Sequence, residues 1–136
     1  MSIFETHVKD VAERTDSDPL ALNVGFQVVD SSDQLDDSDA VEAKPGHVVA
    51  VDTDSVGSVV TVNMPDVGLA NSKVTVKVLD ATNEVTITGA SDGPSLSGDD
   101  VYINDSNSAV NILCDGDNYH IVSAYDASSA SYDSPA

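Results

Sequence analysis

Residues 73–88 read KVTVKVLDATNEVTIT. Val74, Val76 and Val78 alternate with Lys73, Thr75 and Lys77, so one face of this stretch is apolar and the other polar, the two-residue period of a half-buried strand. Residues 80–83 interrupt the run with turn formers, and a second strand resumes over 84–88. The same alternation recurs on both sides. Upstream, HVVAVD (47–52) is a strand, 53–57 a turn, and SVVTVNM (58–64) a strand stopped by Pro65. Downstream, 89–98 is a loop rich in Gly, Ser and Pro, 101–104 a short strand and AVNILC (109–114) a longer one. DGDN (115–118) is a tight turn, and YHIVS (119–123) is the last strand. About seven short strands separated by turn signals every ~8–12 residues predict an all-β chain, an antiparallel β-sandwich of jelly-roll type. No internal repeat of 20–50 residues is read from the sequence.

The residues before this block have a different texture. Ser2 with Glu5 makes a capping box, and Ile3, Phe4, His7, Val8 and Val11 fall on one face at helical spacing, which predicts a short helix over 2–14. Residues 16–19 end it. Residues 21–29 read as an extended segment, 30–43 (DSSDQLDDSDAVEA) as an acidic linker, and Pro45-Gly46 as a turn. The expected division is an N-terminal arm at 1–43, a β domain at 44–125 and a loose tail at 126–136.

Composition says where such a chain works. Its 136 residues hold 24 acids and 5 bases, a net charge of −19. Uncompensated negatives repel one another and oppose the compact state. At ~1 M salt the screening length falls to roughly 3 Å and most of that repulsion disappears. Only four of the acids, Glu5, Glu13, Glu42 and Glu84, are Glu; the rest are Asp. A surface of this kind is expected to be halophilic. The apolar fraction of 40%, set in alternating runs, argues against a disordered acidic chain. Nucleic acid and anionic membrane surfaces are excluded as partners, because Lys9, Arg14, Lys44, Lys73 and Lys77 make no basic stripe. No apolar run approaches 18 residues, so no membrane span is expected, and the N-terminus does not read as a signal peptide. The single cysteine, Cys114, excludes an internal disulfide; beside Ile112 and Leu113 it is expected to be buried.

The order of features across 47–122 resembles small β-sandwich domains of phage-type virion appendage proteins. Met64-Pro65 closes one strand, the next strand runs into Asp80, Val85–Ile87 forms an Ile-Thr-Ile-like strand, and Leu96-Ser97-Gly98 is a Gly turn. The stretch 111–114, Asp115-Gly116, Tyr119 and Ile121-Val122 make the ending. The sequence departs from that pattern at Tyr119, where Trp is usual, and at Met64, where Leu is more common. The resemblance implies a non-enzymatic virion protein of a haloarchaeal tailed virus, a capsid decoration or turret component, assembled in the host cytoplasm and exposed on the virion surface. It implies a homo-oligomer, a trimer first and a pentamer second, and contact with other virion proteins such as the major capsid protein. The arm residues Ile3, Phe4, Val8, Val11, Leu20, Leu22 and Phe26 are the expected oligomer or capsid contact. The alternative is a binding module of a tail fibre that engages a host-surface glycan or surface-layer protein.

Candidate chemistry is sparse. The densest acidic stretches, 36–39 and 115–118, lack the spaced oxygen pattern of a Ca²⁺ loop, leaving Asp115 and Asp117 as weak metal candidates. His7, His47 and His120 lie too far apart in sequence for a zinc motif. No nucleophile elbow and no phosphate-cradling Gly loop is present, so no cofactor and no catalytic residue is assigned. Tyr102, Tyr119, Tyr125 and Tyr132 could stack on sugar rings, although Tyr119 is the one expected in the core.

Overall fold

The structure, a computed structural model, describes residues 25–127 and the backbone of 131–133. The helix expected over 2–14 and the contact residues Ile3, Phe4, Val8, Val11, Leu20 and Leu22 lie outside the described residues.

The strands fall close to where the alternation puts them: β3 (Val48–Asp52), β4 (Val60–Asn63), β5 (Lys73–Asp80), β6 (Val85–Thr88), β8 (Val101–Ile103), β9 (Ala109–Cys114) and β10 (Asn118–Asp126). Four more were not read as strands in their own right: β1 (Phe26–Val29), β2 (Ala40–Glu42), β7 (Ser95–Leu96) and β11 (Ser131–Asp133). A 3₁₀ turn covers Ser32–Gln34, and one helical turn, α1, covers Thr53–Val56.

Their pairing corrects the antiparallel sandwich. The chain does not fold back on itself at 53–57 or 80–83. It crosses there from one sheet to the other, and each strand pairs with the strand one full turn later. In sheet A, β1, β3 and β5 are parallel, and in sheet B, β2, β4 and β6 are parallel. Phe26 lies beside Val48 and Val48 beside Thr75, so one turn takes 22 residues and the next 27. On the other wall Val41 lies beside Val62, and Val62 beside Ile87. The result is a β-solenoid of about four turns. The fourth turn winds in reverse: β8 runs antiparallel to β6 and β9 antiparallel to β5. Hairpins then add β10 and β11 to sheet A, and β7 joins β10 in parallel. Parallel neighbours need a crossover of a dozen or more residues, which a strand in the opposite sheet plus two corners supplies. Residues 26–42, read above as extended segment and linker, make the first turn of the stack.

The core is a set of ladders between the sheets. Val29, Val51 and Val78 stack in register, as do Val49, Val76 and Val110. Opposite them lie Val62 with Ile87, and Val60 with Val85 and Ile103. All but Val110 and Ile103 are nearly or wholly inaccessible, and those two are buried as well. Each buried Val contributes about 1.5–3 kcal/mol relative to exposure, and its β-branched shape suits the pleated wall.

The corners are tied by polar groups. Thr53 is wholly buried at the start of α1. Its hydroxyl donates to Asp80 O at 3.0 Å and accepts from Asn83 N at 2.9 Å, linking the corner of the second turn to that of the third. Gly57 closes α1 in the left-handed region, at φ 85°, with its N–H on Thr53 O. At the N-terminal end Gln27 spans the two walls: its amide donates to Glu42 O at 2.8 Å and accepts from Lys44 N at 2.9 Å. Among the described residues no buried side-chain polar atom lacks a hydrogen-bond partner.

Candidate functional site: acidic corners and two outer faces

The acids sit where the chain turns, and many of them are structural acceptors. Asp52 caps α1, taking Ser55 N at 3.1 Å and Ser55 Oγ at 2.8 Å. Asp36 Oδ1 accepts from Ser38 N and Ala40 N at 2.7 and 3.0 Å. Asp66 Oδ1 accepts from Asp92 N at 2.9 Å, joining two successive corners of the stack. Asp80 Oδ1 takes Thr82 N at 2.8 Å, and hydrogen bonding from Thr82 holds its carboxyl below the ordinary value. The contacts of Asp36 and Asp80 are Asx turns, in which a short carboxylate reaches the N–H two residues on.

Asp115 is the most heavily used. One oxygen accepts from Asp117 N and Asn118 N, both at 2.7 Å, and the other meets His120 Nε2 at 2.7 Å. The Asn118 N–H above all, then His120 and the Asp117 N–H, lower its pKa to about 2. Both oxygens are therefore already engaged inside the β9–β10 turn. Asp117 is an exposed neighbour, and among the described residues no group of three or more His, Cys, Asp or Glu side chains is arranged to hold a metal ion.

The other expected residues are dispersed. His47 bonds Pro45 O through Nδ1 at 2.9 Å, and His120 faces out beside Leu113. Cys114 is buried, as its neighbours predicted. Tyr119 is core: its hydroxyl donates to Pro65 O, and burial pushes its pKa up to about 12. Tyr102 stands exposed on sheet B, far in the fold from Phe26, which stands exposed on β1 of sheet A. Tyr125 and Tyr132 are register partners on β10 and β11. Two open grooves, of about 200 and 650 Å³, flank Val101 where the edge of sheet B approaches β10. The larger is lined by Asp99, Asp100, His120 and Ile121, with the His120 Nε2 already turned to Asp115.

The two outer faces differ from the corners. In sheet A, the acids of β3, β5 and β10 are the terminal residues Asp52, Asp80 and Asp126, and β1 and β9 have none. The face between those ends carries Lys73 and Lys77, a polar ladder in which Thr75 Oγ1 donates to Asn111 and Asn111 Nδ2 donates to Ser123, and the apolar edge Phe26 and Val28. The outer face of sheet B is narrower and carries Thr61, Asn63, Thr86, Thr88 and Tyr102, with Ala40 and Glu42 of β2 beside them and Thr88 Oγ1 donating to Asn63 at 2.6 Å. The alternation gave these outward residues, but only the register gathers them into faces.

The fold and these surfaces define a small β-solenoid with acid-capped corners. No protein-family model matches the chain, and no curated protein matches it.

Proposed function

We propose that this chain is a non-enzymatic structural protein working at the surface of an assembly in a high-salt medium, with a capsid decoration or turret of a halophilic virus as its setting. The observation that carries the structural reading is the use made of the polar groups. The carboxylates of Asp36, Asp52, Asp66, Asp80 and Asp115 and the hydroxyl of Thr53 are spent on holding turns and corners, and the pair Asp115–His120, already engaged with each other, faces the surrounding medium. The charge of −19 supports the salt setting. The virion setting rests on the order of features across 47–122 and no longer on a sandwich fold, which the parallel winding overturns.

Repulsion among the acids is screened in molar salt and exposed in dilute buffer. Circular dichroism is therefore expected to show the β signal at ~3 M salt and its loss near ~10 mM. A full β signal at the low end would contradict the salt reading. Mass spectrometry of purified particles tests the setting: hundreds of copies per particle are expected for a decoration, a dozen or fewer would point to a tail tip, and absence would remove the virion role.

A further inference from the structure

The geometry points to the outer face of sheet A as the surface through which two copies of this chain associate. On a chain of net charge −19, contact between copies costs least where acids are missing. Across β1, β3, β5, β9 and β10 the acids lie only at strand ends, and Lys73 and Lys77 are the charges carried between them. These are two of the chain's five basic residues. Such a face escapes the acid–acid repulsion that any other surface of the molecule would meet in a second copy, and in a halophile's medium an acid-poor surface is the one least suited to stay in brine.

The same face holds the apolar side chains that gain from being covered. Phe26 is 72% exposed and Val28 45% exposed, side by side on β1, and Leu113 lies at the opposite end of the face beside Lys73. A large apolar ring left this open loses a few kcal/mol relative to burial. The face is preferred to the free edge of β1 for a specific reason. Gln34 folds back so that its amide donates to Val28 O at 2.8 Å, which occupies an acceptor that strand addition at that edge would need. It is preferred to sheet B because that wall carries no cation, bears the acid Glu42 in register with Asn63 and Thr88, and offers the single ring of Tyr102 among Thr and Asn. High salt favours such a contact twice, by screening the corners and by strengthening apolar burial.

The inference goes beyond the proposed function and is tested separately, by sedimentation of the full chain at ~3 M salt, where the corner acids are screened. The wild type is expected to sediment as more than one copy. The double variant Phe26→Asp, Val28→Asp places acids on the face and is expected to weaken association at least ~10-fold, since each buried, unpaired charge costs several kcal/mol. Tyr102→Asp, on the other wall, is expected to leave it unchanged. Should the double variant not fold, Leu113→Cys gives a second test. Cys114 is buried, so a short bis-maleimide linker is expected to join copies through position 113 and not through Tyr102→Cys. A monomeric wild type overturns the proposal. So does association that survives the β1 substitutions, or that is lost with Tyr102→Asp and kept with them, or that is abolished by removing residues 1–24 while resisting the β1 substitutions.

Discussion

A carboxylate one methylene from the backbone reaches the N–H two residues further along its own chain; with two methylenes it overshoots. That difference suits Asp to the corners where the acid itself holds the turn, as at Asp36, Asp80 and Asp115. Asp36, Asp52, Asp80 and Asp115 each accept a backbone N–H from their own turn. These four acids thus serve their turns as well as the solvent. Two titrations mark this in stability. Asp115 has its pKa lowered to about 2, so its contribution is complete above the ordinary carboxylate range and is lost as pH falls toward 2. Tyr119 has its pKa raised to about 12, so its contribution is complete below about 10 and is lost as pH rises through about 12. Urea unfolding across pH is expected to show both limbs, with Asp115→Asn flattening the acid one and Tyr119→Phe the alkaline one. Tyr119→Phe is also expected to lower stability by about 1–2 kcal/mol, because Pro65 O loses its buried donor. Profiles identical to wild type would remove these roles. Tyr119 in the core was legible from its place between Asn118 and His120; its bond to Pro65, 54 residues away, was not.

Among elements, the corners decide the fold more than the strands do. Residues 53–57 and 80–83 carry the composition of hairpin turns, and the alternation on either side fits a sandwich wall and a solenoid wall equally well. What distinguishes the two is a set of links between corners of successive turns, and the buried one is Thr53, its hydroxyl bridging Asp80 O and Asn83 N. Thr53→Val keeps the shape and removes both bonds, leaving the partly buried Asp80 carbonyl and Asn83 N–H without that partner. A loss of about 1–3 kcal/mol is expected in denaturant melts, against little change for Thr61→Val on the outer face of sheet B. Equal effects of the two substitutions would deny Thr53 its special place. A buried threonine in a polar turn gives no periodic signal, so composition alone could not single it out.

For the whole molecule, the strands and core Val positions were readable because burial imposes a period of two. The winding was not, because the period does not say which strand lies beside which. A trace of it exists in hindsight: FQVVD, VVAVD and KVLD each lead from sheet A into a corner at Asp30, Asp52 and Asp80, and VTVN and VTIT occupy matching places on sheet B. The turns differ in length, 22 and 27 residues along sheet A, and that irregularity hides the repeat from inspection. The division of the surface follows from the same winding. Stacking like strands puts all corners on the rims and leaves two walls whose strands carry acids only at their ends, one of them with Lys73, Lys77, Phe26 and Val28.

The corners and both outer walls exist as described only while β3 lies parallel to β5. Nuclear Overhauser contacts in ¹⁵N,¹³C-labelled protein at ~3 M salt, where the fold is screened, measure that pairing residue by residue. Cross-strand contacts are expected to place Val49 beside Val76 and Val62 beside Ile87 in parallel register. Close Hα–Hα contacts pairing β3 with β4 across residues 53–57, the signature of an antiparallel hairpin, would contradict the solenoid and with it the account of both faces.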